Sequence, residues 1–269
     1  MNDHYRAFFG FKREPFATDI SCAEILKTPE LESVKVRFDY IIRLGAIGVV
    51  TGDVGSGKST AVRYALNTLH PSEYRSLYIT ASSGSIMEFY RQLRDALDIY
   101  LSSSSKAVMV KTIKKEIINL VCEKKMKVVL TVDEASLMRL EVFAELHTIC
   151  QFEQDAKPWL PIILVGQSSL VDKLTFRSSQ PLASRIIAKC HLEGVDLAGM
   201  ETYLLHHLAI AGVERKLFDP TAVMAIHQGS GGLFRKANHL ARGGLIAAAM
   251  QKSSIVSAEH IRLAATEIF

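Results

Sequence analysis

The sequence of 269 residues predicts an α/β fold, in which helices flank a parallel sheet and a small all-helical domain follows it. Three observations predict this fold. Short apolar, β-branched runs of strand length alternate with stretches of helical periodicity as far as residue 197. Such alternation is typical of parallel sheets whose strands are buried on both faces. Residues 76–80, 161–167 and 188–192 predict further strands, and residues 29–44, 86–101, 108–122 and 139–154 predict helices. From residue 198 onward, every pattern is helical.

Residues 52–59 contain the pattern G-x-x-x-x-G-K-[ST], which forms phosphate-binding loops. Residues 46–51 predict a buried strand before this loop, and residues 60–69 predict a helix after it. Strand, loop and helix are the context that the pattern requires. The sequence therefore predicts a nucleoside triphosphate site. We assign its binding residues as Gly52, Asp53, Val54, Gly55, Ser56, Gly57, Lys58, Ser59 and Thr60.

The residue types of this loop suit a triphosphate. Gly52, Gly55 and Gly57 allow a tight turn whose backbone N–H groups point into one concavity. The concavity opens onto a helix N-terminus, where the helix dipole favours an anion. Lys58 is expected to reach the β- and γ-phosphates, and the Ser59 hydroxyl is expected to bind Mg²⁺.

A second chemical motif follows a later apolar strand, residues 127–132. Asp133 and Glu134 come directly after it, and ligands of open α/β sheets bind beyond the carboxyl ends of the strands. We expect Asp133 to hold Mg²⁺, either directly or through a water molecule. Glu134 is expected to orient and deprotonate the attacking water as the general base.

Four further polar residues are candidates for the same chemistry. Gln167 ends the next predicted strand, where it would sense the γ-phosphate or position the water; the alternative is an ordinary helix-start residue. Arg185 is a candidate arginine finger acting on a neighbouring subunit, with Arg177 as its rival, and either could be a surface arginine. Arg235 begins a helix in the second domain, from which it could point back at the γ-phosphate.

Two further features of the sequence each have two possible interpretations. Pro15 and Phe16 belong to an aromatic-rich N-terminal arm that either covers the nucleotide base or packs on the protein core or a neighbouring subunit. Lysines accumulate between residues 106 and 127. They form either a solvated helix face or a surface that follows DNA phosphates, with Lys106, Lys111 and Lys114 as the candidate contacts.

Composition limits the setting in which the chain works. With 48% hydrophobic residues the chain can bury one substantial core and a small second domain. Four scattered cysteines, the lack of a signal-peptide pattern and the lack of a membrane-length apolar run predict a cytoplasmic protein without a membrane partner. The net charge of +4 permits nucleic-acid contact. We divide the chain into an N-terminal arm and helix (1–45), a nucleotide-binding α/β domain (46–197) and a helical lid domain (198–269).

Taken together, these motifs resemble an AAA+ ATPase with a three-layer α/β/α core. The closer resemblance is to the ExeA/GspA–TniB–TnsC–MuB group, and it extends over nearly the whole chain. Two segments of the arm carry it, Phe9-Gly10-Phe11 and Glu14-Pro15-Phe16. Three later segments carry it as well, residues 164–167, 182–186 and 232–238. Gln167 departs from the Asn that is common at the corresponding position of AAA+ proteins.

The resemblance implies ATP and Mg²⁺ as cofactors, and slow, regulatory hydrolysis of ATP to ADP and phosphate. It also implies sensor roles for Gln167 and Arg235. Members that act in transposition form homo-oligomeric rings or filaments on double-stranded DNA, select target sites and stimulate a transposase. Members that act in type II secretion continue into a membrane span and a further domain, which this sequence does not contain, so we expect the transposition role. A nucleotide switch that acts on a protein partner without DNA is the remaining alternative.

Overall fold

One sheet of five parallel strands forms the centre of the larger part of the chain in the computed structural model, which describes residues 3–266. The strands lie in the order β2-β3-β4-β1-β5, and every neighbouring pair is parallel. They are β1 (Ile47–Gly52), β2 (Tyr74–Thr80), β3 (Lys127–Asp133), β4 (Ile162–Gly166) and β5 (Ile186–Leu192). The sheet confirms the predicted α/β fold, and each strand overlaps the apolar run that predicted it.

Twelve α-helices accompany these strands in the described residues. They are α1 (Asp3–Phe9), α2 (Pro29–Leu44), α3 (Lys58–Asn67), α4 (Ile86–Ala96), α5 (Lys106–Ile118), α6 (Leu140–Ile149), α7 (Ser169–Thr175), α8 (Gln180–Ala183), α9 (Leu197–Ile210), α10 (Pro220–Ser230), α11 (Phe234–Met250) and α12 (Ala258–Ala265). Helix α2 begins and ends where the sequence predicts. Thr28 caps its first turn and Gly45 closes it in a left-handed conformation.

Helices cover both faces of the sheet, which is why β1, β3 and β4 are buried almost throughout. One face packs against α4, α5 and α6, and its core includes Ile47, Leu130, Tyr90, Ile113 and Phe143. The other face packs against α2. There a Cβ atom on Gly48 would lie 2.0 Å from Cδ1 of Ile41, so a larger residue would require the Ile41 side chain to move.

Two predicted helices are shorter in the structure than the sequence indicates. The helix predicted over residues 86–101 ends at Ala96, and Asp98 then adopts a positive φ of 56° that breaks the helical path. The helix predicted over residues 139–154 ends at Ile149, and residues 153–155 all have positive φ. Side-chain periodicity continues past both ends, but the backbone turns there, so the pattern alone overestimates the helices.

The chain is divided into two compact units. The sheet unit comprises Thr28–Gly52 and Lys58–Leu192, and so contains the sheet and helices α2 to α8. The helical unit comprises the N-terminal residues as far as Lys27, residues Asp53–Gly57 and the residues from Glu193 onward. The N-terminal arm thus belongs with the C-terminal helices, whereas α2 belongs with the sheet.

The N-terminal arm is part of the hydrophobic core of the helical unit. Its buried aromatic side chains pack with α9, α10 and α11; they are Tyr5, Phe9, Phe11 and Phe16. Arg242 of α11 holds the arm from outside this core. Its guanidinium lies 3.2 Å from the Glu14 carboxylate and donates a 2.8 Å hydrogen bond to the Phe16 carbonyl oxygen. No helix among residues 3–266 has both the length and the apolar character needed to cross a membrane.

Candidate functional site

The two ends of the phosphate-binding motif lie in the sheet unit. Gly52 is the last residue of β1, and Lys58 is the first residue of α3. The Lys58 side chain is only 8% exposed and its ammonium donates a 2.9 Å hydrogen bond to the Gly52 carbonyl oxygen. The predicted strand before the motif and the predicted helix after it are therefore both present, and a buried cation links the end of one to the start of the other. Thr60 follows in the first turn of α3.

The five residues between these ends form a tight turn. Gly55 and Gly57 have positive φ angles of 90° and 95°, which residues with a Cβ atom rarely adopt. The Ser56 N–H donates a 3.1 Å hydrogen bond to the Asp53 carbonyl oxygen. The Ser56 hydroxyl is buried and has no hydrogen-bond partner among the described residues. Because buried hydroxyls are normally hydrogen-bonded, this unpartnered group fits a loop that receives a polar ligand.

Two oxygen groups suited to a divalent cation meet in the sheet unit. The Ser59 hydroxyl donates a 3.1 Å hydrogen bond to Oδ2 of Asp133, and the Asp133 side chain is mostly buried. The other carboxylate oxygen accepts a 2.8 Å hydrogen bond from the Glu134 N–H. A hydroxyl and a carboxylate at this separation are the ligands that Mg²⁺ takes beside nucleotide phosphates. The distance between the two side chains is therefore compatible with the prediction that Ser59 and Asp133 both bind Mg²⁺.

Tyr78 is a third group at this carboxylate, and the sequence did not reveal it. Its hydroxyl donates a short hydrogen bond to the same Oδ2 atom of Asp133. Partial burial, followed by the hydrogen bond and the negative charge of Asp133, raises the pKa of Tyr78 well above its ordinary value. The residue lies on the edge strand β2 and belongs to no recognisable motif, so only the three-dimensional register of β2 and β3 reveals its position.

Glu134 begins a short turn that other residues hold in place. Its backbone is left-handed, with φ 52° and ψ 31°, an uncommon conformation for glutamate that is often found at functional sites. The side chain is half-buried. The Lys173 ammonium donates hydrogen bonds of 2.6 Å and 2.7 Å to the carbonyl oxygens of Ser136 and Met138 in this turn. Lys173 is a second residue that the sequence analysis missed, because its partners are backbone atoms distant in sequence.

Gln167 lies where the sequence predicts, just after β4. Strands β3 and β4 are parallel neighbours. Asp133, the last residue of β3, and Gln167, the first residue after β4, therefore lie at the same edge of the sheet. The Gln167 backbone N–H approaches the Ser136 hydroxyl at 3.4 Å, and its side chain is exposed. The exposed amide is thus available to a ligand at this edge.

The remaining candidate arginines lie in different surroundings. Arg185 forms an ion pair with Asp155 of its own chain, so a role on a neighbouring subunit would require that pair to open. Arg177 is exposed. In the helical unit, Arg235 lies in the first turn of α11, and its backbone N–H approaches the Gly55 carbonyl oxygen at 3.3 Å. A Cβ atom on Gly55 would lie 2.7 Å from Cβ of Arg235, so this contact requires glycine in the loop.

The structure favours the second of the two interpretations of the N-terminal arm. Pro15 and Phe16 are both buried within the helical unit. The Phe16 ring is 1% exposed and stacks on the His207 ring with centroids 5.5 Å apart. It therefore has no free face for a nucleotide base in this conformation, and packing on the protein core explains its aromatic character.

Two of the three candidate DNA-binding lysines are engaged within the sheet unit. Lys106 forms a 2.5 Å ion pair with Glu145, a carboxylate that also accepts a hydrogen bond from the buried Tyr90. Lys114 donates to the carbonyl oxygens of Thr148 and Gln151 at 3.0 Å and 2.9 Å, and burial lowers its pKa. Both lysines therefore connect α5 to α6, and Lys114 also contacts the residues that follow α6. Lys111 is exposed on α5.

Comparisons with known proteins agree with this arrangement. Residues 42–174 match the model of a family described as an AAA domain. General secretion pathway protein A of Aeromonas hydrophila is 28% identical over 266 residues, which are 98% of this chain and 48% of that protein. The chain therefore spans about half the length of this relative.

Several solved structures have a similar fold. Cdc6p of Pyrobaculum aerophilum superposes with a TM-score of 0.75 at 13% identity, covering 94% of this chain and 70% of that chain. The Aeropyrum pernix ORC2 protein, in ADPNP and ADP complexes, gives 0.71 at 17% identity, with coverages of 96% and 72%. The Aeropyrum pernix ORC1 protein in complex with DNA gives 0.69 at 15% identity, with coverages of 94% and 68%.

Identities this low establish the fold alone. Together with the family match and the loop geometry, they lead to one conclusion about this chain. It has the α/β fold of P-loop NTPases, and its residues 42–174 are similar to the family described as an AAA domain.

Proposed function

We propose that the chain binds Mg²⁺·ATP and hydrolyses it slowly, as a nucleotide-controlled switch. The observation that carries the proposal is the 3.1 Å hydrogen bond between Ser59 and Asp133, because it brings together two oxygen ligands from separate motifs. Ser59 and Asp133 would hold Mg²⁺, directly or through water. The metal ion would neutralise charge that develops on the phosphates.

The other loop residues would bind the triphosphate itself. Lys58 would exchange its hydrogen bond to Gly52 for the β- and γ-phosphates. Backbone N–H groups at the start of α3 and in the turn, from Asp53 to Thr60, would donate to phosphate oxygens, and the orphaned Ser56 hydroxyl would gain a partner. Adenine is proposed as the base from the resemblance to AAA+ ATPases.

Hydrolysis would rest on Glu134, which we propose as the general base for the attacking water. Gln167, exposed at the same sheet edge, would help to position that water or sense the γ-phosphate. Arg235 would act as a sensor of the γ-phosphate. Arg185, or Arg177 in its place, would stabilise transition-state charge in the site of a neighbouring subunit.

The direct test is calorimetric titration of the purified chain with ATP, first with Mg²⁺ and then with excess chelator. We expect binding that Mg²⁺ strengthens, followed by slow release of phosphate. GTP is the comparison ligand that tests the choice of base, and we expect it to bind more weakly than ATP. Absence of ATP binding in both conditions would contradict the proposal.

We further propose that the ATP-bound form assembles as a ring or filament on double-stranded DNA and regulates a transposase. The resemblance of the sequence motifs to a group that includes transposition members supports this role. So do the net positive charge and the likeness of fold to an ORC1 protein that was solved in complex with DNA. Lys111, which is exposed on α5, is the first of the proposed phosphate contacts. Lys106 and Lys114 would have to leave their present partners to contribute.

A second candidate role is assembly of a type II secretion system. It is favoured by the similarity to General secretion pathway protein A, which extends over 98% of this chain. The ATP chemistry would be the same in both roles. The difference lies in the partner that responds to the nucleotide state: DNA and a transposase in one role, and secretion components in the other.

Binding to double-stranded DNA with ATP, ADP or no nucleotide distinguishes the two roles. The DNA role predicts binding that requires ATP and weakens steeply with added salt, because phosphate contacts release counterions. It also predicts rings or filaments in electron micrographs of the same samples. DNA binding in no nucleotide state would favour the secretion role or a switch that acts on protein alone.

A further inference from the structure

Tyr78 makes a hydrogen bond that the proposed nucleotide chemistry has not yet used. Its hydroxyl and that of Ser59 both donate to Oδ2 of Asp133, while Oδ1 accepts the Glu134 N–H. The carboxylate is therefore held by three donors that come from three separate elements. Such a carboxylate has a fixed orientation, which distinguishes it from a surface aspartate.

The register of the sheet explains how Tyr78 reaches this carboxylate. Tyr78 pairs with Thr131, and Thr80 pairs with Asp133. Because alternate residues of a strand share a face, Tyr78, Thr131 and Asp133 all lie on the same face of the sheet. A side chain of tyrosine length can then extend along the strand direction to the next residue of that face, which a shorter side chain could not do.

Core packing does not account for a tyrosine at this position. The side chain is 45% exposed, and it lies on the edge strand of the sheet. Its neighbours in sequence, Leu77 and Ile79, are buried on the opposite face and provide the hydrophobic contacts of β2. The hydroxyl contact with Asp133 is thus the specific interaction that a phenylalanine would lack.

We infer that Tyr78 is a positioning residue for the Mg²⁺ site, acting through the Asp133 carboxylate. Carboxylates that bind metal ions are commonly oriented by hydrogen bonds from outer partners, and loss of such a partner weakens metal binding by roughly 10- to 100-fold. Tyr78 would hold Oδ2 directed towards the Ser59 hydroxyl both before and after the cation arrives. This inference rests on the proposed Mg²⁺·ATP function, and it adds a residue on which the metal dependence of that function relies.

The test measures the Mg²⁺ dependence of nucleotide binding rather than turnover. A slowly hydrolysed ATP analogue is held at a fixed concentration while MgCl₂ is titrated, and the midpoint is compared for the parent protein, Tyr78→Phe and Tyr74→Phe. Tyr74 is a matched control because it lies on the same strand, and its hydroxyl contacts Lys127 instead of Asp133. Thermal unfolding without ligand establishes that all three proteins are equally folded.

We expect Tyr78→Phe to raise the Mg²⁺ midpoint by about tenfold. Its affinity for the analogue in chelator should stay within about twofold of the parent, since no phosphate contact is lost. Tyr74→Phe should match the parent in both conditions. Excess Mg²⁺ should restore hydrolysis in Tyr78→Phe, which a general structural defect would not allow.

Three results would overturn the inference, and they differ from one another. If the parent requires Mg²⁺ but Tyr78→Phe has the same midpoint, Tyr78 does not position the carboxylate and the proposed function stands. If Tyr78→Phe loses affinity equally with Mg²⁺ and with chelator, its role is structural. If the parent binds no nucleotide with Mg²⁺, the proposed function itself is wrong and the inference is wrong with it.

Discussion

The ammonium of Lys173 lies 2.6 Å from the carbonyl oxygen of Ser136 and so fastens helix α7 to the turn that follows Glu134. A second hydrogen bond, to the Met138 carbonyl oxygen, completes the attachment. The half-buried cation thus satisfies two backbone acceptors that no neighbouring strand reaches. The position of the proposed general base depends on this turn, because Glu134 is its first residue.

Replacement of Lys173 should therefore affect hydrolysis more than binding. For Lys173→Met we expect kcat for ATP to fall by roughly 10- to 100-fold, because displacement of a catalytic group by about 1 Å has an effect of this size. KM should change by less than about twofold, since no phosphate contact is lost. Steady-state phosphate release measures both quantities. Lys189→Met, which removes an exposed lysine of β5, is the control and should match the parent.

Lys58 provides a prediction about binding. Lys58→Ala should weaken ATP binding by roughly 10- to 100-fold, because hydrogen bonds to charged groups contribute about 1.5–3 kcal/mol each. Equilibrium titration with a fluorescent ATP analogue measures the change. Lys111→Ala, a charge-matched change on the exposed face of α5, should leave the affinity unaltered. Undiminished binding by Lys58→Ala would show that the loop does not hold the phosphates as proposed.

The helical unit should lose stability in mild acid because of one buried histidine. His207 is 3% exposed between the rings of Phe16 and Tyr203, and burial, aided by the positive charges of His206 and Arg13, lowers its pKa to about 4. The unfolded chain binds the proton near pH 6.5, so the folded state is favoured fully above that pH. Stability declines as the pH falls from 6.5 towards 4.

The size of this effect can be measured by comparing denaturant unfolding at pH 7.5 and pH 5. His207 should contribute about 2 kcal/mol to the stability lost between these values, because each unit of pKa difference corresponds to about 1.4 kcal/mol. His207→Phe should remove that part of the loss, and His239→Gln, an exposed change on α11, is the control that should retain it. An equal loss in all three proteins would show that other groups are responsible.

The sequence predicted those parts of the fold that have strong local signals. Strands β1, β3 and β4 are continuous β-branched runs that helices bury on both faces, and α2 lies between Pro29 and the left-handed Gly45. The proximity of Ser59 to Asp133 could also be predicted from the sequence. Ser59 comes shortly after β1 and Asp133 ends β3, and parallel strands of one sheet end at the same edge.

The rest depends on contacts between residues distant in sequence. Tyr78 resembles any outward-facing strand tyrosine until the register of β2 against β3 places its hydroxyl at Asp133. Lys173 has backbone partners that no side-chain pattern records. Phe16 belongs to an aromatic motif that suits a nucleotide base equally well, and only its packing against His207 shows the ring to be buried.

The central claim is that Glu134 activates water in a site that binds Mg²⁺·ATP, and Glu134→Gln tests it most directly. The amide keeps the size of the side chain but cannot accept the proton, so loss of general-base catalysis should lower kcat by about 10²- to 10⁴-fold. Affinity for Mg²⁺·ATP should be retained, and Glu141→Gln, an exposed change on α6, should behave as the parent. Normal turnover in Glu134→Gln, or absence of ATP binding in the parent, would contradict the account.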